Sequence, residues 1–393
     1  MNQVLEIFWV AIQILIGYNL VIPFLFLVAW FFSAKSRREE CIDSKREIDF
    51  AIIVTAYQHT SMLSDVVGSI QQLKYGKYHV YIVADNCVDE LLEFESAKVT
   101  VLRPEIVLAS NTRSHLYAME RFIRHHDAIT IIDSDNLVHP EFLRNMNRFF
   151  QLGYQAVQGI REPKNLDTTI ACLDGARDIY YHFYDCKVLF QIGSSSTLAG
   201  SGMAFSASLY GNFLKSNSVV GAGFDKVLQA WLVSSNIKIA FSEDASVYDE
   251  KTSKTDQLVQ QRSRWINSWF KYAFFGIKLL KKGIMGVNRH QILFGIVLLR
   301  PPLFIFLALS FVLMLTNLLL GSKMIFLVWL LALVLFSASF YAALAINKAD
   351  KRIFRSLKNI PVFVFYQFVS LLNVRKANQI SISTKHDRDN GRH

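Results

Sequence analysis

The chain has 393 residues, 52% of them hydrophobic, with a mean hydropathy of +0.26 and a formal net charge of +10. It is long for one domain and short for three, and its hydropathy is high for a soluble protein. The positive charge does not point to nucleic acid: many basic residues flank apolar segments, where they sit among anionic headgroups, and there is no basic low-complexity tail.

The first apolar run, residues 7–32, carries no charge over 26 residues. About 20 residues span a bilayer, so the run crosses with some tilt. A cleaved signal peptide fits poorly: Glu6 stands where a basic region belongs, the run is too long, and no small-x-small cleavage site follows. Residues 1–34 are therefore expected to be an uncleaved anchor. Lys35, Arg37, Arg38, Lys45 and Arg46 follow it, so the positive-inside rule places the middle of the chain in the cytoplasm. The four cysteines (Cys41, Cys87, Cys172, Cys186) form no CxxC pair, which suits a reducing compartment and suggests neither zinc nor a disulfide framework.

Residues 46–266 read as alternating strands and helices. Strands are predicted at 49–57, 78–85, 99–104 and 128–135, with helices at 61–73 and 110–126. The alternation predicts an α/β domain with a parallel sheet, in which ligands gather beyond the carboxyl ends of the strands. Asp85, Asp133 and Asp135 stand at such ends. Residues 267–300 are expected to be interfacial amphipathic helices: 267–283 mix aromatics with lysines, and 291–299, apolar but short, are either an interfacial helix or a broken extension of the next span. Residues 303–320 and 324–346 are uncharged and form a predicted transmembrane hairpin within 301–347. Residues 348–393 are expected to be an interfacial segment (360–372 is too short to cross comfortably) and a cytoplasmic tail, supported by Lys348, Lys351, Arg352, Arg355 and Lys358; were 360–372 to span, the tail would lie outside, and the charges at 385–388 do not decide between the two.

Several stretches could carry chemistry. In an extended chain Asp133 and Asp135 point the same way, and two carboxylates suit Mg²⁺ or Mn²⁺ carrying a diphosphate. Asp85 could accept a hydrogen bond from a base or ribose, with Asp89 in the turn after it; a turn or cap role is the commoner one for such residues. Gly200 and Gly202 permit close backbone approach to a ligand. Asp225 opens a predicted helix, where it either complements the dipole or serves as a general base. His125, His126 and His182 lack metal-ligand spacing and read as structural.

Thirty-five residues separate Asp225 from Gln261, which begins Gln261-x-x-Arg264-Trp265. The ordered set Asp85, Asp133 with Asp135, Asp225, then Gln-x-x-Arg-Trp resembles the signature of membrane-embedded family 2 glycosyltransferases, which include cellulose, chitin and hyaluronan synthases. The resemblance covers roughly residues 48–285. It implies a GT-A fold with added transmembrane helices, a UDP- or GDP-sugar donor, a Mg²⁺ or Mn²⁺ cofactor and inverting transfer. Thr55, Ala56, Tyr57 and Asp85 would meet the nucleoside, and Asp133 and Asp135 the metal and diphosphate, joined by Arg264 and, more loosely, Arg113. Asp225 would be the base, and Gly202, Gln261 and Trp265 would face the acceptor. The chain departs from the family pattern at Phe224, where Glu is usual, and at Gln58-His59, where Asn-Glu is common.

The expected product is a polysaccharide or glycolipid, made by an integral protein of a bacterial inner or plasma membrane. With three spans, exporting a polymer would call for self-association or an export partner; single-sugar transfer to a lipid is the alternative. A transporter is disfavoured because the predicted spans hold no ionisable residue, and an inactive adaptor because every motif aspartate is present.

Overall fold

The computed structural model describes residues 3–34, 46–87, 92, 94–217, 219 and 221–372. Asp89, Cys41, the tail charges at 385–388 and the basic residues Lys35, Arg37, Arg38 and Lys45 lie outside the described residues.

Helix α1 (Gln3–Ala34) leads into an alternating stretch: β1 (Phe50–Tyr57), α2 (Leu63–Gln71), β2 (Tyr78–Asp85), β3 (Val99–Leu102), α3 (Asn111–Met119) and β4 (Ala128–Asp133). There follow β5 (Leu137–Val138), α4 (Phe142–Gln151), β6 (Ala156–Pro163) and α5 (Thr169–Tyr181), which continues through a π-helical segment, His182–Val188, into α6 (Leu189–Gln191). The domain closes with β7 (Met203–Ser206), α7 (Ala207–Ser216), α8 (Phe224–Ser234), β8 (Ile239–Asp249) and α9 (Thr255–Tyr272). Helices α10 (Phe274–Met285), α11 (Arg289–Leu299), α12 (Leu303–Leu319), α13 (Lys323–Ile346), α14 (Lys351–Ser356) and α15 (Ile360–Leu372) complete the chain.

The strands form one mixed sheet in the order β3-β2-β1-β4-β7-β6-β8-β5. β1, β2, β3 and β4 run parallel, and β7 lies antiparallel between β4 and β6. β1 shows why its sequence is apolar without a break. Phe50, Ile52, Val54 and Ala56 pack under α2 and α4, while Ala51 and Ile53 pack on the other face with Tyr210, Phe213, Leu228 and Leu232. A strand covered on both faces needs no polar alternation.

Four expected elements end early: strand 99–104 at Leu102, helix 61–73 at Gln71, and two whose ends have a visible cause. The predicted helix 110–126 stops at Met119, because the following residues turn back: Ile123 N–H donates to Tyr81 Oη at 3.0 Å, and His126 bridges Tyr81 and Asp49 at 2.9 and 2.8 Å. The predicted strand 128–135 stops at Asp133, because Asn136 N–H bonds Asp133 O at 3.1 Å and closes a turn. The same-face argument for Asp133 and Asp135 therefore fails; Asp135 reaches its position through that turn.

Residues 3–33 and 323–346 are long and apolar enough to cross a membrane. α11 and α12 qualify only as a pair, bent by 75° at Arg300-Pro301-Pro302. These proline rings cannot continue the backbone ladder of α11. α1, the π-helical segment, and α11 to α13 share one apolar cluster that includes Leu20, Phe183, Tyr184, Phe294, Phe306 and Phe336. Polar contacts cross it: Gln13 Oε1 accepts from Asn317 Nδ2 and Trp329 Nε1, each at 2.8 Å, and Trp30 Nε1 donates to Gln191. Buried amides paired in this way satisfy groups that an apolar setting would otherwise penalise. α15 packs on α9, where Ser263 Oγ donates to Ser370 O at 2.8 Å. The helix bearing Gln261 and Trp265 is thus clamped between the sheet domain and the apolar helices.

Candidate active site

The parallel strands deliver their carboxyl ends to one edge. Thr55 pairs in register with Asp133, and Tyr57 with Asp85. Thr55 and Tyr57 are half-buried on one face of β1, whereas Ala56 turns its methyl into the core at 1% exposure. Of these three residues of β1, Ala56 can offer the donor only its backbone.

Asp85 differs more from expectation. Its side chain is buried, with Oδ1 accepting from Leu108 N–H at 2.9 Å and Oδ2 from Ala109 N–H at 2.7 Å. Both oxygens are committed to holding the loop before α3. Its geometry is that of a loop clamp, and a nucleoside contact by this carboxylate would share oxygens that already accept these bonds. The same corner holds Gln58, Asn86 and Ala109 at φ 65°, 55° and 47°. Non-glycine residues in the left-handed region persist where surrounding bonds over-determine them, and such positions gather at ligand sites.

Asp133 lies half-buried beside the turn. Its N–H donates to Ser201 Oγ at 3.0 Å, which pins the loop 193–202 against β4. Burial pushes its carboxyl up to about 7; Asp135 adds repulsion, Arg161 opposes, and Asp249 and Asp225 add further repulsion. Carboxylates from β4, the following turn, α8 and β8 therefore act on one point. Gathering them leaves negative charge that a divalent cation would neutralise. Among the described residues no ready-made cluster of three or more His, Cys, Asp or Glu ligands is present. Two carboxylates, with donor phosphates completing the shell, match how Mg²⁺ is usually held.

Asp225 sits in the first turn of α8, 17% exposed, with Lys226 Nζ 3.3 Å from Oδ2. Gly223 makes that placement possible. It has φ 96°, and a Cβ there would lie 2.6 Å from the Tyr272 ring, so the start of α8 abuts the end of α9. Phe224, the departure from the family pattern, is buried, with its ring edge-on to His115 at 5.4 Å. It serves the core instead of the site.

Gly202 also has a structural task. It is buried at φ 65°, its N–H bonds Ile131 O at 2.9 Å, and a Cβ would come 2.8 Å from Val247 Cγ2. The space of its missing side chain is filled by Val247, so the glycine is required by packing whether or not its backbone meets a ligand. Gly200 at φ 87° faces open space. Gly202→Ala is expected to destabilise the fold by roughly 1–3 kcal/mol through overpacking and strain. A thermal unfolding midpoint equal to wild type would contradict this.

On α9, Gln261 Oε1 is buried without a hydrogen-bond partner, an unmet acceptor that a ligand hydroxyl could satisfy. Trp265 is 40% exposed. Two guanidiniums lie against its ring, Arg262 at 4.2 Å and Arg177 at 4.6 Å from the centroid. Arg264 is half-buried, and burial lowers its basicity. Arg113 is exposed on α3. Sequence reasoning passed over Arg262, although its three-residue spacing from Trp265 puts both on one helix face. It also passed over Arg161, Asp174, Arg177, Asp178, Asp249 and Lys251, which lie in no contiguous motif.

A mixed sheet with this strand order and carboxylates gathered at its edge defines a GT-A glycosyltransferase fold. A family model, glycosyltransferase like family 2, matches residues 47–268. The chain belongs to that family. Among solved structures it is similar to the mannosyltransferase PcManGT from Pyrobaculum calidifontis in complex with GDP-Man and Mn²⁺: 14% identity, 91% of this chain and 98% of that one covered, TM-score 0.56. It also matches S. aureus TarS 1–349 in complex with UDP-GlcNAc at 13% identity, with 84% and 90% covered and a TM-score of 0.41. At these identities the likeness bears on fold alone. No curated protein matches.

Proposed function

We propose that the chain is a membrane-anchored, inverting, metal-dependent transferase. It moves a sugar from a UDP- or GDP-sugar to a hydroxyl of a growing polysaccharide or a glycolipid. The observation that carries this reading is the convergence of Asp133, Asp135 and Asp225 beside the helix bearing Gln261 and Trp265. Asp133 and Asp135 would hold Mg²⁺ or Mn²⁺, which when bound stabilises the charge developing on the departing diphosphate. The relative solved with GDP-Man and Mn²⁺ supports that cofactor class.

Asp225 takes the proton of the acceptor hydroxyl. The acceptor oxygen forms a bond to the anomeric carbon from the face opposite the leaving group, the bond from that carbon to the β-phosphate oxygen breaks, and the nucleoside diphosphate departs. Trp265 offers an apolar face for a sugar ring, and Gln261 Oε1 an acceptor for its hydroxyls. Thr55 and Tyr57 border the donor end, and Arg264 supplies a cation for the diphosphate.

The apolar helices Gln3–Ala34 and Lys323–Ile346 support an integral membrane location, and the basic residues flanking them support a cytoplasmic active site. α10 presents Phe274, Ile277 and Ile284 with Lys278, Lys281 and Lys282, all exposed, which suits an anionic headgroup layer. The test is to incubate membranes containing the chain with labelled UDP- and GDP-sugars plus Mg²⁺ or Mn²⁺, then size and hydrolyse the products. Labelled glycan or glycolipid is expected; an inert chain across the whole panel would end this reading.

A further inference from the structure

A buried line of alternating charge runs from the aspartate cluster to Trp265, and the reaction outlined above assigns it no part. Arg161 begins it: Nη1 donates to Ala199 O at 2.8 Å and Nη2 bonds Asp249 Oδ2 at 2.5 Å. Asp249 Oδ1 accepts from Lys251 Nζ at 2.6 Å. Lys251 also pairs with Asp178 on α5, and Asp178 pairs with Arg177. Arg177 Nε donates to Asp174 Oδ1 at 3.2 Å, and Asp174 pairs with Arg262 on α9. The two guanidiniums at the far end are those lying against Trp265.

Burying this many charges carries a desolvation cost for each ion, and well-packed apolar residues often match or exceed such pairs in stability. Stability alone therefore explains the line poorly. Position explains it better, because each member fixes the next in direction as well as distance. Lys251 is the central link. It is 2% exposed, and its backbone is fixed too, since Lys251 N–H bonds Asn165 Oδ1 at 2.7 Å. Without its ammonium group, Asp249 and Asp178 would face each other as like charges. Asp249 is held on its other oxygen by Arg161, within a strand paired along its length. Asp178 has its other oxygen bonded to Arg177, so a shift of Asp178 away from Asp249 is passed to Arg177.

We propose that Lys251 is a positioning residue for the acceptor side: through Asp178 and Arg177 it holds the Trp265 indole in the orientation that receives the acceptor sugar. This rests on the reading of Trp265 given above. Lys251 is buried, and cutting the line at this link should disturb the acceptor end while leaving the donor end intact.

The test uses the full chain in detergent or membranes, with Lys251→Met, Lys251→Arg and Asp178→Asn. Acrylamide quenching of the fluorescence due to Trp265 (wild type minus Trp265→Phe) should rise about twofold in Lys251→Met and stay at the wild-type value in Lys251→Arg. With the donor found active in the panel, the ratio of transfer to hydrolysis by water should fall about tenfold in Lys251→Met, within the range of coupling between groups of one network. Mn²⁺ affinity should remain within twofold. Should Lys251→Met fail to accumulate, Asp178→Asn cuts the next link and is judged by the same measures. Unchanged Trp265 quenching, or transfer and hydrolysis falling in equal proportion, overturns the proposal, as does failure of Lys251→Arg to restore the ratio. A wild-type chain inert in the panel would overturn the proposed function instead, and the quenching result would still decide whether Lys251 controls the indole.

Discussion

Asp225→Asn is expected to lower sugar transfer by about 10²–10⁴-fold while leaving donor and Mn²⁺ affinity within a fewfold of wild type. That range is the usual contribution of a positioned general base. The amide keeps the shape of the carboxylate and loses the capacity to take a proton. The surroundings favour a clean result, because the start of α8 is fixed by packing of Gly223 against Tyr272 and Ser268, independently of the side chain at 225. Asp225 also faces Lys226 at 3.3 Å in a partly exposed pair, whose loss costs little stability. Transfer rates, with donor affinity measured in the same preparation, check this. Wild-type turnover in the variant would remove Asp225 from the role of base.

The second large effect concerns the metal and pH. Chelation of divalent cations is expected to abolish transfer. Asp133 carries the pH dependence: burial and its neighbouring carboxylates push it up to about 7, against an ordinary value near 3.9. With no cation present, the folded chain keeps this proton between about pH 4 and 7 while the unfolded chain releases it. The folded state then binds more protons, so this group's contribution to stability declines as pH rises through that window and levels off above 7. A cation takes the place of the proton, so Mn²⁺ affinity should climb about tenfold per pH unit up to about 7 and flatten beyond it. Calorimetric Mn²⁺ titrations from pH 5.5 to 8, with Asp133→Asn as control, measure the slope. An affinity that does not vary with pH in wild type would separate Asp133 from the metal, and activity surviving chelation would remove the metal altogether.

Asp133 and Asp225 were legible along the chain because each falls where local structure changes. Asp133 ends an apolar strand, Asp225 opens a helix, and Gln261 and Trp265 ride a helix whose first turn carries Asp256. Such transitions leave traces in hydropathy and capping. Side-chain duties at those positions left no comparable trace. Asp85 and Gly202 stand where a donor ligand and an acceptor contact were expected, yet one binds the backbone of Leu108 and Ala109 and the other makes room for Val247. A carboxylate at a strand end looks the same in sequence whether it faces a ligand or its own chain.

By itself the sequence determined the apolar helices, the alternating α/β segment and the residues that could meet a nucleotide sugar. The first two follow from periodicity and hydropathy over windows of about ten to twenty-five residues, and the third from the resemblance of the ordered motif set to family 2 glycosyltransferases. Only the tertiary structure decided which charges meet. Arg262 finds Asp174 across 88 positions, and Arg161 finds Asp249 across the same separation. The pairing depends on how α5, β6, β8 and α9 pack, and the interaction between two charges depends on their distance in space and the solvent around them. Neither quantity is encoded in spacing along the chain.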